Sequence, residues 1–86
     1  KSQKLNAMEI YPNPFNGNLS IKSYSSGNEV NLRIFDISGK RVIDQVYEIK
    51  GNFEIRPDLR SLEVGTYFLQ LTGKEGTQTK TIMLLN

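Results

Sequence analysis

The side chains that could do chemistry in this sequence are few. The chain has no cysteine and no histidine, so disulfides, thiolate or imidazole metal sites and Cys-His or Ser-His nucleophile pairs are excluded. Nine carboxylates are present, but none belongs to a recognisable catalytic pair or motif. We therefore expect a protein that is not an enzyme and that binds no metal, no cofactor and no small-molecule substrate.

The charged residues are dispersed along the chain. Eleven Lys and Arg against nine Asp and Glu give a net charge of +2, and the only adjacent cations are Lys40 and Arg41. A nucleic-acid-binding domain gathers its cations on one face, whereas Lys22, Arg33 and Arg56 stand alone in the sequence. No apolar stretch approaches the roughly 20 residues that cross a bilayer. We expect neither a nucleic-acid partner nor a membrane span.

Turn signals divide the chain into short runs of alternating apolar and polar residues, which is the pattern of half-buried strands. Seven strands are predicted, over residues 8–11, 19–24, 29–37, 40–49, 53–55, 67–72 and 77–85. A chain of 86 residues holds one domain, which we place at residues 8–86. Residues 1–7 are polar and without periodicity, so we expect the remnant of a linker to a longer protein.

The strand over residues 29–37 is the best core candidate. Its even-numbered apolar residues share one face, and Phe35 and Ile37 lie on the other. This pattern predicts a central strand that is covered on both sides near its end. After the strand at 53–55, one helical turn has room to tuck Leu59 and Leu62 inward.

Seven short strands without a long helix predict an all-β fold, an immunoglobulin-like antiparallel β-sandwich. The pattern Leu62-x-x-Gly65-x-Tyr67 supports this prediction. Glycine permits a bend there, and the tyrosine hydroxyl can bond back to an upstream backbone group, as in a tyrosine corner. The alternative is that Tyr67 is only an inward-facing aromatic residue at a strand start.

Four strings of residues then follow one another up to the chain end. They are Tyr11-Pro12-Asn13-Pro14-Phe15, the segment 34–42 with Asp36, Gly39 and Lys40, the segment 62–71 with Gly65 and Tyr67, and the segment 79–85. In this order and at this spacing, residues 8–86 resemble the type A C-terminal sorting domain of type IX secretion cargo, also called the Por secretion tail. We expect most of these motif residues to shape turns and corners.

The resemblance implies a secretion signal of Bacteroidetes-type bacteria. Its partners would be an N-terminally attached cargo protein, the type IX machinery that recognises the folded domain in the periplasm, and a sortase-like peptidase that removes it on export. The cleavage region would lie in or beside residues 1–7. The cargo would end at the outer-membrane surface or outside the cell, either anchored or released, and the oligomeric state stays open.

The last strand is the predicted recognition segment. A terminal edge strand offers unpaired backbone donors and acceptors to a partner, and few charges protect this one. The segment comprises Lys80, Thr81, Ile82, Met83, Leu84, Leu85 and Asn86. Many members of the family end in a basic residue, whereas the last cation here is Lys80.

A different function remains open on the sequence alone. The chain has the size of an immunoglobulin-like or fibronectin-like accessory module, which binds polysaccharide or acts as a spacer in a secreted enzyme. A glycan-binding face presents exposed aromatic residues for stacking, and four are available: Tyr24, Tyr47, Phe53 and Phe68. Several of these are also needed for the core.

Overall fold

The computed structural model describes residues 8–85, which form seven strands and no helix. The strands are β1 (Glu9–Tyr11), β2 (Ser20–Ser25), β3 (Val30–Asp36), β4 (Arg41–Tyr47), β5 (Gly51–Ile55), β6 (Gly65–Gly73) and β7 (Gly76–Leu84). The seven predicted strands are confirmed, with ends shifted by a few residues. The predicted linker at residues 1–7 and the predicted recognition residue Asn86 lie outside the described residues.

The strands form two antiparallel sheets. One is three-stranded with the order β1-β2-β5, and the other is four-stranded with the order β4-β3-β6-β7. The predicted immunoglobulin-like sandwich is confirmed, and β3 has the central position that its apolar pattern predicts. No helix within residues 8–85 is long and apolar enough to cross a membrane.

One hydrophobic core fills the space between the sheets. In β3 the even-numbered residues Val30, Leu32 and Ile34 are buried, because alternate side chains of a strand point to the same face. The most deeply buried large apolar side chains are Phe15, Leu19, Ile21, Leu32, Ile34, Leu59, Leu69 and Ile82. Burial of each such side chain stabilises the fold by about 1.5–3 kcal/mol. The core is therefore the main source of stability.

The other face of β3 is not covered. Phe35 is only partly buried, and the side chain of Ile37 is 76% exposed. The prediction that this strand is covered on both sides near its end is therefore wrong. The reason is architectural: β3 ends at Asp36, and the described residues form two layers, so the outer face of the four-stranded sheet has no third layer packed on it.

The β3–β4 turn is organised by the Asp36 carboxylate. Its Oδ1 accepts hydrogen bonds from the Ser38 amide (2.9 Å), the Ser38 hydroxyl (2.6 Å) and the Lys40 amide (3.0 Å). The Ser38 hydroxyl and then the Lys40 amide hold the pKa of Asp36 below its ordinary value. Gly39 has a φ of +88°, which non-glycine residues rarely adopt. The predicted tight turn is thus present.

The connection from β5 to β6 contains a single hydrogen-bonded turn where the sequence predicts one helical turn. The Leu62 amide donates to the carbonyl oxygen of Leu59 over 3.1 Å. Leu59 is buried and Leu62 packs against the core. Both side chains face inward, as predicted, and they close the core between the two sheets.

Candidate functional site

The outward backbone edge of β7 is joined to the segment after β1. Asn13 Nδ2 donates to the carbonyl oxygen of Thr81 (3.0 Å), and Asn13 Oδ1 accepts from the Met83 amide (3.2 Å). The Phe15 amide then donates to the carbonyl oxygen of Met83 (2.9 Å), and the Leu85 amide donates to the carbonyl oxygen of Phe15 (2.7 Å). Asn13, Pro14 and Phe15 form a strap across the last residues of β7.

The strap follows from the residue types in its sequence. Pro12 and Pro14 lack a backbone N–H and fix their own φ, so neither can donate to a β-ladder. The Asn13 side chain carries one donor group and one acceptor oxygen, as a peptide unit does, and so replaces the missing backbone pairing. The Phe15 side chain is only 2% exposed and anchors the strap in the core.

The strap corrects the premise that the β7 edge is open. From the Thr81 carbonyl to the Leu85 amide, four outward-facing groups that sequence reasoning treated as unpaired are bonded to Asn13 and Phe15. Ladder alternation directs the backbone groups of Thr77 and Thr79 to the same edge, beyond the reach of the strap. Lys80 pairs in register with the buried Leu69, so it lies on the inner face of β7. An inward-pointing charge on an edge strand discourages pairing with another strand.

The predicted recognition segment divides into two sets of side chains. Ile82 and Leu84 are buried in the core. Lys80, Thr81, Met83 and Leu85 are exposed. Because the backbone of the last residues is bonded to the strap, what this segment presents to a partner is mainly its exposed side chains.

Two of the predicted motif groups meet at the start of β6. Tyr67 pairs in register with Asp36, and both line a shallow hollow with Lys40 and Glu63. The Tyr67 hydroxyl donates to the carbonyl oxygen of Glu63 over 2.6 Å, so the predicted tyrosine-corner hydrogen bond is present. Gly65 is the first residue of β6. This group ties the β3–β4 turn to the corner that leads into β6.

The outer face of the three-stranded sheet carries charged residues beside two exposed tyrosines, Tyr11 and Tyr24. Lys22 stands opposite Glu9 on one side and Glu54 on the other. Its ammonium nitrogen is 5.7 Å from the centre of the Tyr11 ring. Interaction with Tyr11, and then the charge of Glu54, raises the pKa of Lys22. Lys22 therefore stands between two carboxylates across the three strands.

The outer face of the four-stranded sheet carries a pair of phenylalanines. Phe35 of β3 stands directly opposite Phe68 of β6, and Phe68 stands opposite Thr81 of β7. Met83 follows on the same face of β7, opposite Thr66. Sequence reasoning missed this pairing, because the phenylalanines are 33 residues apart and only the β3–β6 register brings them together.

The four aromatic residues that could bind a glycan do not form one platform. Tyr24 lies on the outer face of the three-stranded sheet, and Phe68 lies on the outer face of the four-stranded sheet. Tyr47 and Phe53 pack against the core. Stacking along a polysaccharide needs aromatic rings side by side, so this arrangement gives the accessory-module hypothesis no support.

The chain is similar to a known protein family. The family model described as "Secretion system C-terminal sorting domain" matches residues 9–85, which is nearly the whole chain. No curated protein matches the sequence. Among residues 8–85, no group of three or more Asp and Glu residues is placed to hold a metal ion.

Proposed function

This chain belongs to the family of secretion system C-terminal sorting domains, the sorting signals of type IX secretion, and on that premise we propose how it serves its cargo. The cargo protein is attached ahead of residue 1, and the folded domain directs it through the outer membrane. The observation that carries the proposal is the family match over residues 9–85. A sorting signal implies export to the cell surface or the extracellular space, and its family is not a catalytic one.

The steps around export form the finer part of the proposal. The domain passes through the periplasm, is recognised by the type IX machinery, and is then removed by a sortase-like peptidase. Met8 is buried and β1 begins at Glu9. A peptidase needs an accessible, extended segment, so cleavage belongs ahead of Met8, in or beside residues 1–7. The cargo is then released or anchored at the surface.

The C-terminal segment is the part that the machinery is proposed to read. It comprises Lys80, Thr81, Ile82, Met83, Leu84, Leu85 and Asn86. Its support is the division of roles along β7: Ile82 and Leu84 hold the strand in the core, while Met83 and Leu85 remain exposed. The sandwich thereby presents the segment in a folded, protease-resistant form.

The test is export of a fluorescent carrier fused ahead of residues 1–86 and behind an inner-membrane signal peptide. We expect carrier in the medium or on the surface of type IX-competent cells, and carrier trapped inside type IX-deficient cells. Mass spectrometry of the exported carrier is expected to show an end ahead of Met8. Equal carrier distribution in both strains, with the domain folded, contradicts the sorting role, and an intact fused domain on the exported carrier contradicts the processing step.

A fusion that stops after Thr81 tests the last residues, and it needs a control for folding. The truncation removes Ile82 and Leu84 from the core as well as exposed side chains. The matched control is Leu59→Ala, which damages the same core from a position outside β7 at a cost of about 2–5 kcal/mol. Export lost by the truncation but retained by the control supports a specific role of the segment. Equal loss in both contradicts it.

A further inference from the structure

The outer face of the four-stranded sheet carries an apolar patch. Phe68 and Met83 are 39% and 43% exposed, and Phe35 lies beside Phe68 in register. Val64 and Leu85, at the same end of β6 and β7, are also exposed. These five residues form the outer apolar patch. Their sequence positions are far apart, so the patch exists only in the folded domain.

The neighbouring flank of the patch carries excess positive charge. Arg41 pairs in register with Phe35, and Arg33 is the next outward residue of β3. One carboxylate serves both: Asp44 Oδ1 is 3.7 Å from Arg33 Nε, and Asp44 Oδ2 is 3.4 Å from Arg41. The Arg33 Nε has no hydrogen-bond partner among the described residues. Two guanidinium groups that share one carboxylate leave a net positive fringe, which favours a partner with carboxylates.

The size of the patch indicates the kind of partner. The exposed parts of its side chains amount to roughly 400 Å², about half of the roughly 800 Å² that each partner of a stable standard-size interface covers. That area is too small for a permanent dimer of this chain, and it fits a transient contact. A sorting signal requires transient contact, because its receptor must release each cargo in turn.

We infer that the outer apolar patch is the docking surface for a type IX machinery protein, and that this receptor presents an apolar surface bordered by carboxylates. This inference rests on the proposed function and specifies the surface that is read. Recognition then uses side chains from β3, β6 and β7 together, because the strap occupies the backbone edge of the last β7 residues. The receptor reads the folded sheet rather than adding a strand to it.

The experiment compares substitutions of outward-facing side chains, each about 40% exposed, on the two sheets. Phe68→Thr with Met83→Thr removes the centre of the patch while keeping residues that favour strands. The matched control is Tyr24→Thr, which removes a 41%-exposed aromatic side chain from the other sheet. Export of the fused carrier is expected to fall at least tenfold with the double variant and to stay within twofold with the control. Thermal unfolding of each purified chain verifies that the domain is folded.

A charge exchange tests the fringe independently of the apolar centre. Arg41→Glu is expected to lower export several-fold, and the exposed loop substitution Lys50→Glu, which changes the charge equally, is expected to have little effect. Unchanged export with both the double variant and Arg41→Glu overturns the inference while leaving the sorting role intact. A wild-type fusion that is not exported overturns the proposed function itself. Sedimentation that shows a dimer lost in the double variant would make a second copy the occupant, which also overturns the inference.

Discussion

The strap makes a quantitative prediction about Asn13. Asn13→Ala removes two hydrogen bonds to β7, at 3.0 Å and 3.2 Å, in an exposed position. Each such bond contributes about 0.5–1.5 kcal/mol net. Because both bonds are exposed, we expect a loss in the lower part of their summed range, about 1–2 kcal/mol in the free energy of unfolding. For a domain of this size the midpoint of thermal unfolding then falls by about 4–16 °C. Urea unfolding of the purified chain, followed by circular dichroism, measures the change.

A second substitution at position 13 keeps one of the two hydrogen bonds and removes the other. Asn13→Asp keeps an acceptor for the Met83 amide but replaces the donor to Thr81 with a carboxylate oxygen that faces a carbonyl oxygen. At neutral pH it is expected to destabilise at least as much as Asn13→Ala. The control is Asn18→Ala, an exposed asparagine a few residues along the chain.

Hydrogen exchange supplies the local readout. The Met83 amide donates to Asn13, and we expect its exchange to accelerate in Asn13→Ala more than that of the amides of β3, which lies inside the sheet. If Asn13→Ala unfolds at the same urea concentration as wild type and Met83 keeps its protection, the strap does not close the β7 edge. The outward edge of β7 would then be open along its whole length, as the sequence predicts.

Three further predictions concern other parts of the fold. Tyr67→Phe removes the 2.6 Å corner bond and is expected to cost about 1–1.5 kcal/mol in urea unfolding, while Tyr24→Phe is neutral; equal effects would contradict the corner. Gly39→Ala, at a φ of +88° in open space, is expected to cost about 1–2 kcal/mol from backbone strain alone, and an unchanged unfolding midpoint would refute it. The hydrogen bonds from Arg60 lower the pKa of Asp58 from 3.8 to about 2, so its small stabilising contribution is present at neutral pH and lost as pH falls through about 2. An NMR titration is expected to show Arg60→Gln returning that pKa toward 3.8, and an unmoved titration would exclude Arg60 as the cause.

The strands can be predicted from the sequence because the alternation of apolar and polar residues within each strand indicates which side chains are buried. Alternation marks β2, β3 and β6, and glycine at position 39 marks a turn that requires positive φ. The tyrosine corner can be predicted because the carbonyl that Tyr67 bonds, at Glu63, is only four residues upstream. Each of these features depends on neighbours in the chain.

The features that sequence reasoning missed depend on distant residues. The Asn13 side chain bonds residues 68 and 70 positions away, and no local periodicity encodes such contacts. The exposure of Ile37 follows from the number of layers, which a single strand pattern does not contain. A signal for the strap did exist: an asparagine between two prolines carries the only donor that could continue a ladder there.

The strap also links the beginning of this domain to its completion in time. Residues 13–15 are among the first of the domain to be synthesised, and their partners at 81–85 are among the last. A copy of the chain that stops before Thr81, or that is cut between these positions and separated, cannot close the strap. Closing a loop of this length is also slow compared with local pairing. The strap therefore closes only in a domain whose translation and folding have both finished.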